Sequence, residues 1–317
     1  KPSICIKDSI HPAYQLRRYG WSAKLPVSIL TDFEEFAVYD CRIMPEQQDH
    51  AARARLWYLT FDEYLAKWDD LAALFSRDAI ANGSLDHYVE TRKDKRGALP
   101  VDVAFLQDIE RWREQLAQHL AARNPGLTRR ELNYAVQLTI DRMIFLRICE
   151  DRGIEPYGKL RALRDQSNMY GLLLKRFYEA DAKYDSGIFH FKQERGQRDA
   201  PDTLTPNLTI DDDALRGMLA RLYYPESPYA FEVIPAEILG QVYEQFLGKV
   251  ICLDAAHRAT VEEKPDVKKA GGVYYTPSYI VDYIVKHTVG EAVKDRGPKE
   301  LKGFRILDMA CGSGSFL

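Results

Sequence analysis

The apolar and polar positions of this chain follow two different periods. Residues 12–24 repeat apolar side chains at helical spacing, which predicts a short amphipathic helix. Two short apolar runs follow, at Val27–Thr31 and at residues 35–39, and a polar turn at Asp32 separates them. This arrangement is typical of a pair of strands, so the opening of the chain predicts an α/β unit.

From about residue 55 to residue 250 the pattern is that of long helices. Asp102 is a candidate N-cap for a helix that stops at residues 124–126, an Asn-Pro-Gly sequence. Thr128 and Glu131 form a capping-box pattern, which opens a second helix that ends near Gly153. The apolar positions of the first helix are Val103, Leu106, Ile109, Leu116 and Leu120. Together the two helices predict a helical hairpin.

Two stretches lack this periodicity. Residues 185–212 have few large aliphatic side chains and contain prolines, and residues 254–270 are mostly charged, so both predict loops or linkers. After them, residues 279–286 predict a helix that leads to a strand at residues 305–308. The predicted fold class is therefore mainly α with α/β pieces at both ends.

The composition is that of an ordinary globular protein. The 317 residues are 46% hydrophobic and 29% charged, which is enough for two or three domains with their own cores. No apolar stretch approaches the roughly 20 residues that span a bilayer, and the start lacks the apolar centre of a signal peptide. The five cysteines are scattered without a CxxC pair, so a reducing cytoplasm is the expected location.

No metal site is predicted within the chain. The seven histidines show no ligand spacing, and the three aspartates at 211–213 are interpreted as the start of a helix. The formal charge of −3 leaves a nucleic-acid partner open, because binding depends on local basic faces. Three basic clusters are candidates for phosphate contact, although each is more typical of a solvated surface: Arg17-Arg18, residues 92–96 and Arg129-Arg130.

Residues 306–317 run from an apolar strand pattern into a glycine loop, an order typical of ligand-binding turns in open α/β sheets. A dinucleotide motif is disfavoured, because Leu317 stands where the third glycine would be. Residues 153–159 also fail as a phosphate loop, since no Ser or Thr follows the lysine. By spacing alone, Gly312 and Gly314 fit either a cofactor loop or a plain strand-to-helix turn. Because the chain stops inside this loop, we expect it to be a piece of a larger protein.

Residues 307–317 resemble the first S-adenosylmethionine-binding motif of adenine-specific DNA methyltransferases, with Met309 where proline is common. Residues 272–277 resemble the motif that in this family precedes the first strand and closes over the methionine end of the cofactor. The resemblance implies S-adenosylmethionine as cofactor and a truncated Rossmann-like domain. The implied cofactor-binding residues are Tyr274, Tyr275, Thr276, Pro277, Asp308, Ala310, Cys311, Gly312, Ser313, Gly314 and Phe316.

The chemistry of these residues suits such a cofactor. Thr276 can donate to the zwitterionic methionine end, and Asp308 can interact with its ammonium group. Cys311 is expected to be a small wall residue of the pocket and not a nucleophile. The family transfers the methyl group by direct displacement to the exocyclic amine of a flipped adenine. Its catalytic Asn/Asp-Pro-Pro-Tyr/Phe motif does not occur in this sequence.

The other end of the chain resembles a different family. Residues 1–3, 13–22 and 25–40 look like the second half of a PD-(D/E)xK nuclease domain, as fused to methyltransferases in type IIG restriction-modification enzymes. Gln15 and Tyr19 match the Gln-x-x-x-Tyr motif of that family, and their spacing places both on one helix face. The resemblance implies that they position a DNA phosphate or the catalytic lysine, which is Lys1 or the residue before it. It also implies Mg²⁺, with carboxylate ligands ahead of residue 1.

Residues 225–229 and 238–248 also look like the helical connector of these enzymes. The expected plan is a nuclease remnant at 1–50, a helical connector at 51–253, a linker at 254–271 and a methyltransferase start at 272–317. The parent protein would methylate adenine and cleave double-stranded DNA, without a membrane partner. Three alternatives stay open: a phage-defence methyltransferase without an active nuclease, a catalytically incomplete DNA-binding module, and methylation of RNA or protein.

Overall fold

The structure of the protein, a computed structural model, is mainly helical with small antiparallel sheets. It describes residues 5–91, 99–184, 187–193, 200–235, 238–240, 242, 244, 248–265, 276, 278–309, 311 and 316. The main helices are α1 (Ile10–Ser22), α2 (Trp68–Phe75), α3 (Arg77–Ala81), α4 (Ser84–Thr91), α5 (Val101–Arg123), α6 (Arg129–Asp151), α7 (Met169–Lys183), α8 (Asp212–Ala220) and α9 (Ser278–Val285). The strands are β1 (Val27–Thr31), β2 (Glu35–Asp40), β3 (Arg55–Thr60), β4 (Lys249–Leu253) and β5 (Ala259–Glu263).

The first sheet has the order β1-β2-β3, with every neighbour antiparallel. The predicted pair of strands is confirmed, and Val27 pairs with Asp40 across it. The carboxylate of Asp32 closes the turn by accepting the amides of Glu34 and Glu35, at 3.1 and 2.8 Å. Strand β3 was not expected and lies beyond residue 50. Most of its residues are half-buried, so β3 does not show the alternation of buried and exposed side chains that is typical of a strand at a surface.

Helices α5 and α6 are 23 residues each and pack against one another, as the hairpin prediction requires. The capping box is confirmed: Thr128 accepts the Glu131 amide at 3.3 Å, and Glu131 accepts the Thr128 amide at 2.9 Å. The predicted cap of α5 was wrong, because Pro100 holds the N-cap position and Asp102 lies in the first turn. There the carboxylate of Asp102 still faces the positive end of the helix dipole.

One large apolar core joins the first α/β unit to the helical region. Trp21 of α1 is buried in the same cluster as Phe105 of α5 and Met143 of α6. Its indole nitrogen donates to the carbonyl of Leu99 at 2.8 Å, so the ring is held at the start of α5. A smaller cluster lies under the sheet and contains Ile6, Ala13, Ala37, Tyr39 and Ala51. The first sheet therefore has a small core of its own, and Trp21 links α1 to the main core.

A buried ion pair anchors the described part of the predicted loop at residues 185–212. Arg142 of α6 pairs with Asp202 at 2.8 Å, and both side chains are almost fully inaccessible to solvent. Arg142 also donates to the carbonyl of Ile188 at 2.8 Å. Asp202 accepts the amide of Thr205 at 3.0 Å. These bonds satisfy a buried charge pair that would otherwise be costly, and they hold the loop on α6.

The prediction of a loop or linker at 254–270 was wrong for Ala259–Glu263, whereas residues 254–258 form the turn between β4 and β5. Strand β5 occupies Ala259–Glu263 and pairs antiparallel with β4 in a hairpin. Ala259 is buried, Val261 packs on the main core, and Asn133 of α6 bonds both backbone groups of Ile251, at 2.7 and 2.8 Å. The charged residues lie on the exposed face, so composition alone hid a strand with one apolar side. The domain boundaries themselves stay predictions.

The strand predicted at 305–308 is also absent, because residues 304–308 have no regular secondary structure. A strand is stabilised by ladder hydrogen bonds to a neighbour, and the described residues around it offer no strand with which it pairs. The predicted helix before it is confirmed as α9, followed by a π-helical turn at Lys286–Gly290. The Rossmann-like start remains a prediction.

We predict that Gly20→Ala will destabilise the protein, because α1 crosses the sheet at this glycine. A β-carbon at residue 20 would lie 2.4 Å from the sulfur of Cys41 and 2.6 Å from the hydroxyl of Ser28. The expected loss is about 1–3 kcal/mol of unfolding free energy in urea titrations. Gly217→Ala in α8 is the matched control, since nothing lies within 4 Å and the helix should gain about 1 kcal/mol. Equal effects of the two substitutions would contradict the packing.

Candidate functional sites on α1 and in residues 276–316

Helix α1 has a buried face and an exposed face. Its buried residues are Ala13, Tyr14, Arg17, Arg18, Gly20, Trp21 and Ser22. Gln15 and Tyr19 lie on the exposed face, one helical turn apart. The structure thus brings these two predicted side chains together at the surface, whereas Lys1 lies outside the described residues.

The hydroxyl of Tyr19 is hydrogen-bonded to the carboxylate of Glu232. This bond is the main cause that raises the pKa of Tyr19, followed by partial burial. Gln15 also bonds the Tyr19 side chain and acts in the opposite direction. A carboxylate that accepts the phenolic proton stabilises the neutral phenol, so Tyr19 stays protonated and oriented. The single O–H of Tyr19 is therefore taken by Glu232, and the amide of Gln15, which has two N–H groups, is the donor of this pair that can contact a phosphate.

Glu232 is a site residue that the sequence did not indicate. It is exposed, and it lies just after the loop that packs against α1. It meets Tyr19 only through the tertiary fold, so no spacing in the sequence could have revealed the contact. Within the part of the chain that the structure describes, no group of three or more His, Cys, Asp or Glu side chains is arranged to hold a metal ion.

Arg17 and Arg18 are not at a DNA-facing surface, which corrects their interpretation as phosphate contacts or solvated residues. Arg17 is 1% exposed and pairs with Asp49 at 2.7 Å. Arg18 is 6% exposed and donates to the carbonyls of Ser227, at 3.1 Å, and Tyr229. Both guanidinium groups therefore make their contacts inside the protein. Arg129 and Arg130 are exposed at the start of α6, and residues 92–96 lie outside the described residues.

The buried face of α1 binds the backbone of residues 225–230. The hydroxyl of Tyr14 donates to the carbonyls of Pro225 and Ser227, at 2.9 and 3.2 Å. Burial raises the pKa of Tyr14 to about 12, so this donor keeps its proton. The hydroxyl of Ser22 accepts the amide of Ala230 at 2.9 Å. The loop thereby fixes the orientation of α1, and with it the direction of the exposed face.

The predicted cofactor residues are only partly described. Thr276, Asp308, Cys311 and Phe316 have described positions. The remaining predicted residues, which lie outside the described part, are Tyr274, Tyr275, Pro277, Ala310, Gly312, Ser313 and Gly314. Thr276 and Phe316 are half-buried, and Cys311 is exposed. The contribution of each of these residues to a cofactor pocket stays a prediction.

Asp308 differs from its two neighbours. Leu307 is 82% and Met309 is 90% exposed, whereas Asp308 is half-buried. One carboxylate oxygen of Asp308, Oδ2, is buried, so this side of the carboxylate faces inward. Thr276 lies two residues ahead of α9 and is half-buried too. A carboxylate and a hydroxyl are the groups that would bind the ammonium and carboxylate of a methionine-like ligand, so the chemistry of these residues fits the predicted cofactor.

None of the helices in the described ranges is long and apolar enough to cross a membrane. Helix α9 is the most apolar segment near the predicted cofactor residues, but it spans only eight residues. Such a length is far below the roughly 20 residues that a bilayer requires.

Comparison with known proteins identifies relatives at both ends of the chain. Residues 235–317 match the N-6 DNA Methylase family. The whole chain is 33% identical over 317 residues to the type II restriction enzyme and methyltransferase RM.Eco57I of Escherichia coli, of which it covers 31%. A putative type II restriction enzyme and methyltransferase, RM.MjaORFECS2P of Methanocaldococcus jannaschii, is 25% identical over 190 residues, which are 54% of this chain and 16% of that protein.

The chain therefore spans about a third of the length of the first relative and less of the second. No solved structure matches the chain significantly. The relationship to RM.Eco57I covers α1 and the helical region as well as residues 276–316, so both candidate sites lie in related sequence.

We predict that Arg18→Met will lower the unfolding free energy by about 2–4 kcal/mol, because the buried carbonyl of Tyr229 would lose its Arg18 donor and that of Ser227 would retain Tyr14 but lose Arg18. Arg130→Met, at an exposed position of α6, should change stability by less than about 0.5 kcal/mol. Urea titration of both variants checks the difference. An Arg18 variant as stable as the unmodified protein would contradict the buried, stabilising role of this side chain.

Proposed function

We propose, on the premise that this chain belongs to the type IIG-like restriction-modification enzymes, that it is part of a protein that methylates adenine in double-stranded DNA and also cleaves DNA. The observation that carries the proposal is the 33% identity to RM.Eco57I across the entire chain. The match of residues 235–317 to the N-6 DNA Methylase family supports the methylation part independently of the first 234 residues. We expect the protein to act in the cytoplasm.

In the proposed methyl transfer, S-adenosylmethionine supplies the sulfonium-bound methyl group. The inward carboxylate of Asp308 would bind the ammonium group of the cofactor, and Thr276 would donate to its carboxylate. The small residues at 310–314 would let the backbone approach the cofactor closely. Phe316 would add an apolar contact. These residues would bind and orient the cofactor. The exocyclic nitrogen of adenine would form the new N–CH₃ bond as the S–CH₃ bond breaks, which releases S-adenosylhomocysteine, and the amine would lose one proton to solvent.

In the proposed cleavage, Gln15 and Tyr19 act as positioning residues. The amide of Gln15 would donate to a phosphate of the DNA backbone next to the site of hydrolysis, and Tyr19 would hold Gln15 in place by accepting its other N–H. Glu232 would keep the Tyr19 hydroxyl oriented and protonated. Cleavage in the resembling nuclease family uses Mg²⁺, but the described residues form no metal site, so we assign no metal ligand to this chain.

Transfer of a tritium-labelled methyl group from S-adenosylmethionine to duplex DNA tests the methylation proposal. In the complete protein that contains this chain, Asp308→Asn should reduce transfer by about tenfold or more, because a charge-assisted bond to the cofactor is lost. Glu291→Gln, an exposed position in the same region, is the control and should retain transfer. No transfer by the unmodified protein to any duplex DNA would refute the proposal.

A plasmid-cleavage assay tests the second activity. Tyr19→Phe and Gln15→Leu should each slow cleavage by about tenfold while methyl transfer persists, because each removes a polar group from the exposed face of α1. Gln118→Leu, at an exposed position of α5 where the side chain donates to Glu114 at 3.4 Å, is the matched control. Unchanged cleavage by both α1 variants would remove Gln15 and Tyr19 from the proposed site.

A further inference from the structure

Four large apolar side chains are exposed close to the first sheet and belong to neither candidate site. They are Phe33 in the turn between β1 and β2, and Phe61, Leu65 and Trp68 at the start of the α2 region. Their exposed fractions are 87%, 64%, 90% and 61%, in that order. We call these four residues the exposed apolar patch. Apolar groups gathered in this way at a surface mark an interaction site more often than scattered ones do.

Three of the four residues lie in a series of turns that leads into α2. The amide of Tyr64 donates to Phe61 at 3.3 Å, and the amide of Lys67 donates to Glu63 at 3.0 Å. The amide of Leu71 donates to Lys67 at 2.9 Å, so helical turns continue from residue 61 into α2. Phe61 lies in a 3₁₀ turn, Phe61–Glu63, and Trp68 is the first residue of α2, so Phe61, Leu65 and Trp68 lie three or four residues apart along these successive turns.

The sheet covers only part of this apolar surface. Phe36 of β2 contacts Tyr64 and Phe75 edge to face, with ring centroids 6.4 and 5.6 Å apart. Leu65 and Trp68 lie beside this contact but remain open to solvent. The first sheet therefore leaves these apolar side chains available to a second neighbour.

Phe33 extends the patch across the turn. The amide of Phe61 donates to the carbonyl of Glu34 at 2.9 Å, so the turn lies against the start of the helical segment. Phe33 has a positive φ of 73°, a backbone conformation that bulky residues rarely adopt. The hydroxyl of Thr31 accepts its amide at 3.1 Å and supports this conformation. The turn therefore holds an aromatic ring outward instead of folding it onto the sheet.

The surroundings of the patch are acidic. Residues 61–70 contain four carboxylates and a single cation, Lys67, which already pairs with Asp70 at 3.3 Å. Asp32 and Glu34 add two more carboxylates at the turn. DNA and anionic membranes are both negative and would be repelled from such a surface. A protein surface with an apolar centre and a basic rim complements it in both respects.

We propose that the exposed apolar patch docks a basic amphipathic helix, one whose apolar stripe is flanked by lysine and arginine. The apolar stripe of the partner would pack against Phe61, Leu65 and Trp68 as a helix in a groove, with Phe33 at one end. Its basic flanks would lie against the carboxylates on either side. This inference is independent of the methylation and cleavage proposals, because it uses neither the α1 face nor residues 276–316.

A fluorescently labelled, 18-residue Leu/Lys amphipathic peptide provides the probe. We expect it to bind the chain in an anisotropy titration, and to bind at least about tenfold more tightly than a Leu/Glu peptide of the same pattern. The double variant Leu65→Ser/Trp68→Ser keeps every carboxylate and should weaken binding of the Leu/Lys peptide by about tenfold. Ile154→Ser, at another exposed apolar position, is the matched control and should bind as the unmodified chain does.

Three results would overturn the proposal. Equal binding of the two peptides would show that the acidic rim plays no part. Unchanged binding by the double variant would show that the peptide binds elsewhere. Dimers of the unmodified chain in sedimentation that disappear in the double variant would assign the patch to a second copy. Circular dichroism of the double variant separates these outcomes from misfolding, since both substituted side chains are exposed.

Discussion

The packing of α1 on the loop at residues 225–230 is the interaction on which the rest of the structure depends. Tyr14, Arg18 and Ser22 donate to, or accept from, backbone groups of this loop, and all three side chains are buried. Buried backbone groups without partners would cost several kcal/mol in total. Separation of α1 from the helical region would therefore leave these groups without hydrogen-bond partners. The first sheet packs on α1 and is held in place with it.

The same loop reaches further into the helical hairpin. The hydroxyl of Tyr229 donates to Asp108 of α5 at 2.8 Å, and the amide of Phe231 donates to Asp151 of α6 at 3.0 Å. The chain then continues to Glu232, which meets Tyr19 on the exposed face of α1. One loop thus fixes the buried side of α1 and supplies a residue to its exposed side, so the candidate site depends on the helical region for its geometry.

Local signals in the sequence were sufficient for the elements that local interactions stabilise. The Thr128–Glu131 capping box, the two long helices and the β1-β2 pair each have a short-range cause, and each was predictable. The face shared by Gln15 and Tyr19 follows from helical spacing alone. Even the resemblance that led to the cofactor residues rests on two short motifs.

What could not be predicted depends on partners distant in sequence. Two adjacent arginines are typical of a surface cluster. Only the fold shows that Arg17 pairs with Asp49 and that Arg18 donates to a buried carbonyl. Strand β5 is charged on one side and apolar on the other. It pairs with β4, which Asn133 of α6 holds by a hydrogen bond to the backbone of Ile251. Residues 305–308 show the opposite failure, because an apolar run without a pairing strand does not form a ladder.

We propose that the protein containing this chain methylates adenine in DNA, a proposal supported by its similarity to RM.Eco57I and by the match of residues 235–317 to the N-6 DNA Methylase family. Mass spectrometry of the nucleosides released from duplex DNA, after incubation with the complete protein and S-adenosylmethionine, tests it most directly. We expect N6-methyladenine to be the new nucleoside. Methylation confined to cytosine, or to RNA or protein in parallel incubations, would contradict it.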